Sequence, residues 1–187
     1  MKQELRRHLT PLSLIFIIIS VIWIFNQVSY YQFVYLLFGF GWGAFFLDLD
    51  HLIFWLYLQP TLPQSHQAQQ YLRQKDTRSL FQLLEKTHHT HTNLVFHHYF
   101  FQTILTLISV FIISSSTGVF TSAFVVALNL HLIIDQFYDY KNRPRHLQKW
   151  LFAREKKQLP IKYLTHYLLF FSLINLLFVV MLTKSIL

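Results

Sequence analysis

Histidine and aspartate are the residues of this 187-residue chain whose types and spacing could do chemistry. They gather in three places. The first is Leu47-Asp48-Leu49-Asp50-His51, the second runs from Thr87 to His98 and holds His88, His89, His91, His97 and His98, and the third is His131-Leu132-Ile133-Ile134-Asp135. His131 and Asp135, four apart, share one face of a helix and can both reach one ion. The same spacing also suits a His donating a hydrogen bond to an Asp in an apolar interior. In a continuous helix Asp48 and Asp50 would differ in direction by about 200°, so one of them faces elsewhere or the helix ends there, as a polar terminus reaching water would. On a helix His88 and His91 share a face, whereas His97 and His98 point about 100° apart. One ion is not expected to take both of the latter, and at least three of these five histidines are expected to be plain interfacial residues with no ligand role. The chain has no cysteine, which excludes disulfides, thiolate metal sites and cysteine nucleophiles, so a metal must be held by N and O ligands.

The elements that must position these residues follow from composition. Hydrophobic types make up 53% of the chain and charged types 13%, against roughly 25% charged in soluble domains. Leu9 to Phe46 and Thr87 to Ile134 contain no Asp, Glu, Lys or Arg, and each is too long for one membrane span of about 20 residues. Polar breaks at Asn26-Gln27 and at Ser114 to Gly118 divide them. The expected spans are Leu12 to Val28, Phe33 to Tyr57, Leu94 to Ile113, Val119 to Phe137 and Tyr163 to Leu182. This predicts an all-α polytopic membrane helix bundle of about five transmembrane helices, one domain over residues 1–187. In the second span a break, or a surface-lying continuation, is expected after the acids. Lys2, Arg6 and Arg7 open the chain as they would a secretory signal, but Trp23, Phe25, Asn26 and Gln27 follow in place of a small-residue cleavage site, so the first segment is expected to stay as a helix.

With the N-terminus on the cytoplasmic side, fifteen of the sixteen Lys and Arg residues fall on that side and Lys184 alone on the other. Such a bias sets topology and predicts a multi-pass protein of the cytoplasmic membrane. The basic cytoplasmic connections are then 59–93 and 138–162, and residues 68–84 are expected to form one amphipathic helix on the membrane surface. The net charge of +8 points to membrane lipid, anionic phospholipid in particular, as the partner at these connections; no nucleic acid is expected. Asp48, Asp50, Asp135 and Asp139 come to one depth at the cytoplasmic ends of separate spans, where acids are costly and face a cavity or a partner. Gly39, Gly41 and Gly43 suit close helix packing; no strand precedes them, as a nucleotide loop would need. The serines near Ser114 lie at the opposite face, too far from the His/Asp cluster for a hydrolytic triad.

In this order the motifs resemble the YdjM-like family of membrane-bound metal-dependent hydrolases, which shows Pro-Asp-x-Asp-His at the end of one membrane helix, His-Arg-Gly-x-Thr-His-Ser at the start of another and His-x-x-x-Asp in a third. Leu47-Asp48-Leu49-Asp50-His51, Thr90-His91-Thr92 and His131 to Asp135 are the matching residues here, and the resemblance covers Gly39 to Asp135. Leu47 replaces the proline, Thr92 replaces the serine and the Arg-Gly is absent. Lys86 stands where the family has its first histidine, with His88 one turn before His91 as the substitute. The His-x-x-x-Asp element is also similar to that of helical zinc enzymes such as bacterial phospholipase C and single-strand nucleases, which implies phosphoester hydrolysis. The resemblance implies a divalent metal, zinc foremost, held by Asp50, His88, His91, His131 and Asp135, with Asp48, Asp50 and His51 in catalysis and a phospholipid or lipid-linked phosphate as substrate. The competing expectation is a non-enzymatic multi-pass protein binding metal for structure or transport. Transport would place polar groups through the whole membrane depth, whereas the outer halves of these spans hold few ionisable residues; a haem protein would place paired histidines deep in facing helices, whereas His97, His98, His131 and His166 lie near the cytoplasmic ends of their spans.

Overall fold

The computed structural model describes residues 2–115 and 118–187, and among these there is helix but no strand. Helix α1 (Lys2–Phe25) ends where Gln27 takes a left-handed backbone, φ 57°. Helix α2 (Tyr30–Phe46) ends at a tight turn over Leu47 and Asp48, and α3 (Leu49–Ile53) and a π-helical turn (Phe54–Leu58) follow. The break therefore falls at Asp48 itself, one turn earlier than expected. Helices α4 (Pro63–Arg73) and α5 (Thr77–Thr87) replace the single amphipathic helix expected over residues 68–84. Lys75 at φ 56° breaks the run, and the Asp76 carboxylate restarts it by accepting from Ser79 N at 3.0 Å. A 3-10 turn (His88–Thr90) precedes α6 (Tyr99–Ser114); then come α7 (Val119–Asn142), α8 (Pro144–Leu151) and α9 (Ile161–Lys184). The polar break expected at Ser114 to Gly118 lies partly outside the described residues, at Ser116 and Thr117.

Among the described residues, four helical segments are long and apolar enough to cross a membrane: Arg7–Phe25, Tyr30–Leu58, Val119–Asn142 and Ile161–Lys184. The remaining expected span is shorter. Its 16 helical residues reach about 24 Å at 1.5 Å per residue, because residues 91–98 leave the helix and turn into the bundle. Helix α7 is the axis, packed by α1, α2, α6 and α9, and most of its length is buried whereas the others are largely exposed. Leu107, Phe111, Phe170, Leu173 and Leu176 face outward, the pattern expected when the surrounding solvent is lipid.

The closest approach is between α2 and α7. A Cβ on Gly39 would stand 2.6 Å from the Ala123 Cβ, and one on Gly43 would stand 2.5 Å from that of Ala127, whereas Gly41 faces open space. Two glycines four apart thus meet two alanines four apart, which lets the backbones touch. At the other end of the bundle Trp23 Nε1 donates to Thr183 O at 2.9 Å, tying α1 to α9. Beyond the acids, α4 and α5 cover a small second core of Trp55, Ala68, Leu83 and Leu94. Helix α8 buries Leu147, Trp150 and Leu151. Asp139 clamps α8 to α7, accepting from Arg143 Nη2 and His146 Nδ1 at 2.7 Å each and from Trp150 Nε1 at 2.8 Å.

Candidate metal centre

The α2–α7 contact sets the orientation of His131. Its Nδ1 lies 2.7 Å from the Ala44 carbonyl oxygen. A carbonyl can only accept, so Nδ1 carries the proton, and in the neutral ring Nε2 is left as a lone pair. That lone pair points at carboxylates, Asp135 Oδ2 at 3.2 Å and Asp48 Oδ1 at 3.7 Å. Lone pair against carboxylate is repulsive unless a cation, a proton or a metal, lies between them. A bond of this kind, from the ring nitrogen that does not ligate to a backbone carbonyl, is what orients a metal-bound histidine.

His8, near the start of α1, stacks on the His131 ring at 4.1 Å between centroids and puts Nε2 3.3 Å from Asp135 Oδ1. His8, His131 and Asp135, all buried, each offer a ligand atom within 4.8 Å of the others. Arg7 joins them, with Nη1 3.7 Å from Asp135 Oδ1 and its guanidinium 3.5 Å over the Tyr138 ring. Asp48, His51 and His88 form a second set that meets the same 4.8 Å limit. His51 Nδ1 lies 2.7 Å from His91 Nδ1, so one of the two rings donates and the other accepts. Burial, opposed by the charge of Asp50, pushes the His91 pKa down to about 4, which keeps the ring neutral at neutral pH.

Asp50, expected as a ligand, is engaged instead by the loop before α6. Its Oδ1 accepts from Val95 N at 3.0 Å, and its Oδ2 accepts from Phe96 N at 2.6 Å and faces His97 Nδ1 at 3.2 Å. This clasp is why residues 91–98 are not helical, and why His88 and His91 come from a 3-10 turn and an extended residue rather than from one helix face. His97 spans two acids, with Nε2 3.5 Å from Asp135 Oδ2. Burial alone would lower its pKa, but the Asp135 and Asp50 carboxylates outweigh burial and hold it up to about 10. The adjacent His98 points elsewhere and caps α6, its Nδ1 accepting from Phe100 N at 3.2 Å. The two neighbours thus divide between the cluster and a helix cap. The His89 side chain lies outside the described residues.

The structure therefore gathers Asp48, His51, His88, His91, His131 and Asp135 from the anticipated residues and gives Asp50 to the loop. Arg7, His8 and His97 are additions. For His8 a signal existed: it precedes the first span at the depth of the other histidines, but as a lone residue beside two arginines it looked like part of the basic flank.

Among the buried atoms with no hydrogen-bond partner are Nε2 of His51 and His91, while Nε2 of His8, His97 and His131 all converge on the Asp135 carboxylate. Leaving such an atom unpaired costs about 1–3 kcal/mol, and one zinc ion takes about four ligands. These buried His/Asp groups can hold a metal ion. Beside them is a cavity of about 20 Å³ lined by Arg7, His88, His91, His97, Asp135 and Asp139 among others, enough for about one water molecule. No protein-family model, curated protein or solved structure matches the chain.

Proposed function

We propose that this protein is a membrane-embedded metal-dependent hydrolase acting on a phosphoester such as a phospholipid or lipid-linked phosphate, with zinc as the ion. The observation that carries the metal is the His131 lone pair, locked by Ala44 and directed at Asp135 and Asp48. His and carboxylate ligands without sulfur suit zinc. A bound divalent ion supplies two things, acidification of water towards neutrality and polarisation of a phosphoryl oxygen. The chain's own residues supply the rest. Arg7 presents a permanent cation beside Asp135, which favours an anionic substrate and suits the oxygens of a phosphate. Asp48 is a quarter exposed and has an oxygen to spare for water. In the reaction the water oxygen bonds to phosphorus as the phosphorus–alkoxyl bond breaks; Asp48 takes a proton from the water and returns it to the departing oxygen, giving acid and alcohol. The site's position at the start of α1, the end of α2 and the C-terminal half of α7, all apolar segments, supports a lipid substrate.

The test is hydrolysis by protein purified in mild detergent, using a phospholipid in mixed micelles and a soluble short-chain phosphodiester. Activity should vanish with chelator, return with zinc and be absent in His131→Ala. Metal-bound protein that cleaves neither class under any condition contradicts the hydrolase and favours a structural metal, a reading supported by the small size of the adjoining cavity.

A further inference from the structure

We infer that the centre is built for two divalent ions rather than one, an inference that rests on the metal-dependent reading above. His8, His131 and Asp135 form one set within ligating reach of a common point, and Asp48, His51 and His88 form another. The sets share no residue. They nevertheless touch, since Asp48 Oδ1 of the second lies 3.7 Å from His131 Nε2 of the first.

Ligand number argues for two. A zinc ion takes about four ligands, and the two sets already offer six, with His91 hydrogen-bonded to His51 as a further imidazole. In the second set the buried Nε2 of His51 has no hydrogen-bond partner, and in the first Nε2 of His131 faces only carboxylate oxygens. An ion in the first set alone would leave the buried His51 nitrogen unsatisfied. Charge argues the same way. Asp50 accepts from backbone N–H groups and faces His97, whereas Asp48 and Asp135 each belong to one of the two ligand sets. Two divalent ions against two carboxylates leave an excess positive charge, the complement of a phosphoryl group. Two-metal hydrolytic sites hold one ion on the attacking oxygen and the other on the leaving oxygen, which adjoining ligand sets suit. Asp48, whose Oδ1 faces the first set, sits between the two.

Two measurements test this on the full-length protein in detergent, with helicity checked by circular dichroism. Elemental analysis after zinc loading and desalting should find two zinc ions per chain in wild type, one in His8→Ala and one in His88→Ala. Wild type reloaded with Mn²⁺ needs no variant and should give the broad electron paramagnetic resonance signal of an exchange-coupled pair. One zinc per chain with an isolated six-line manganese signal overturns the two-ion centre and leaves the hydrolase proposal standing. A wild type that holds no metal overturns both.

Discussion

At the scale of single residues, the site separates groups that bind from groups that hold the binding groups in place. Asp135→Asn keeps the size of the side chain but removes the charge opposite His131 and His8, so bound metal and phosphoester hydrolysis should fall together, tenfold or more each, while helicity persists. If Asp135 merely accepted hydrogen bonds, the Asn variant would be nearly silent in both measurements, because an amide oxygen still accepts. Asp50 is the contrasting case. Its carboxylate satisfies Val95 N and Phe96 N, and hydrogen bonds to charged groups contribute about 1.5–3 kcal/mol each. Asp50→Ala should therefore lower thermal stability in detergent markedly even in metal-free protein. Two histidines impose opposite pH limits on the metal-free state, relative to an unfolded value of about 6.5. His91 has its folded pKa lowered to about 4, so its contribution to stability is complete above about 6.5 and is lost as pH falls towards 4. His97 has its folded pKa raised to about 10, so its contribution is complete below about 6.5 and is lost as pH rises towards 10. Melting temperature against pH should flatten on the acid side in His91→Gln and on the alkaline side in His97→Gln; unchanged limbs in both would contradict these assignments.

At the scale of elements, the helices were legible wherever an apolar run and a polar break determined them. Asn26-Gln27 ends α1 as expected, because no packing partner overrides that local signal. The all-α class follows from the same runs. What was not legible depends on contacts distant in sequence. Nothing between His91 and His98 announces that the chain leaves the helix, since the cause is a carboxylate at Asp50 in another element. Lys75 took a left-handed conformation within a stretch whose polar and apolar spacing suggested one helix. In the site, His131 and Asp135 were visible as a pair through their four-residue spacing, whereas His8 could be placed only by the packing of α1 against α7. The glycine pattern carries a prediction at this scale. Gly43→Leu drives a side chain into Ala127 and the Phe124 carbonyl, and overpacking costs about 1–3 kcal/mol or more. Because Ala44 is the next residue and orients His131, metal should be lost as well. Gly41→Leu points into open space and should leave thermal stability within about 0.5 kcal/mol of wild type. Equal behaviour of the two variants would contradict the packing described for α2 and α7.

At the scale of the whole molecule, α7 serves as an axis, and around one of its ends the starts of α1 and α6, the end of α2 and the 3-10 turn deliver polar side chains to one depth. The basic connections lie at that same end, so the proposed orientation puts the centre on the cytoplasmic side. A cysteine-free chain allows this to be checked by single introduced cysteines: one at Ser115 should react with an impermeant thiol reagent on intact cells, and one at Gln69 or Gln148 only after the membrane is opened. Labelling of position 69 from outside would reverse the arrangement. The measurement that bears most directly on the central claim is zinc K-edge X-ray absorption on the purified protein. A metal centre built from His8, His51, His88, His131, Asp48 and Asp135 predicts nearest neighbours of nitrogen and oxygen at about 2.0–2.1 Å, with the outer scattering of several imidazoles and no sulfur, and less bound zinc per chain in His131→Ala. Protein that carries no metal after zinc loading, or a purely oxygen shell without imidazole scattering, would contradict it.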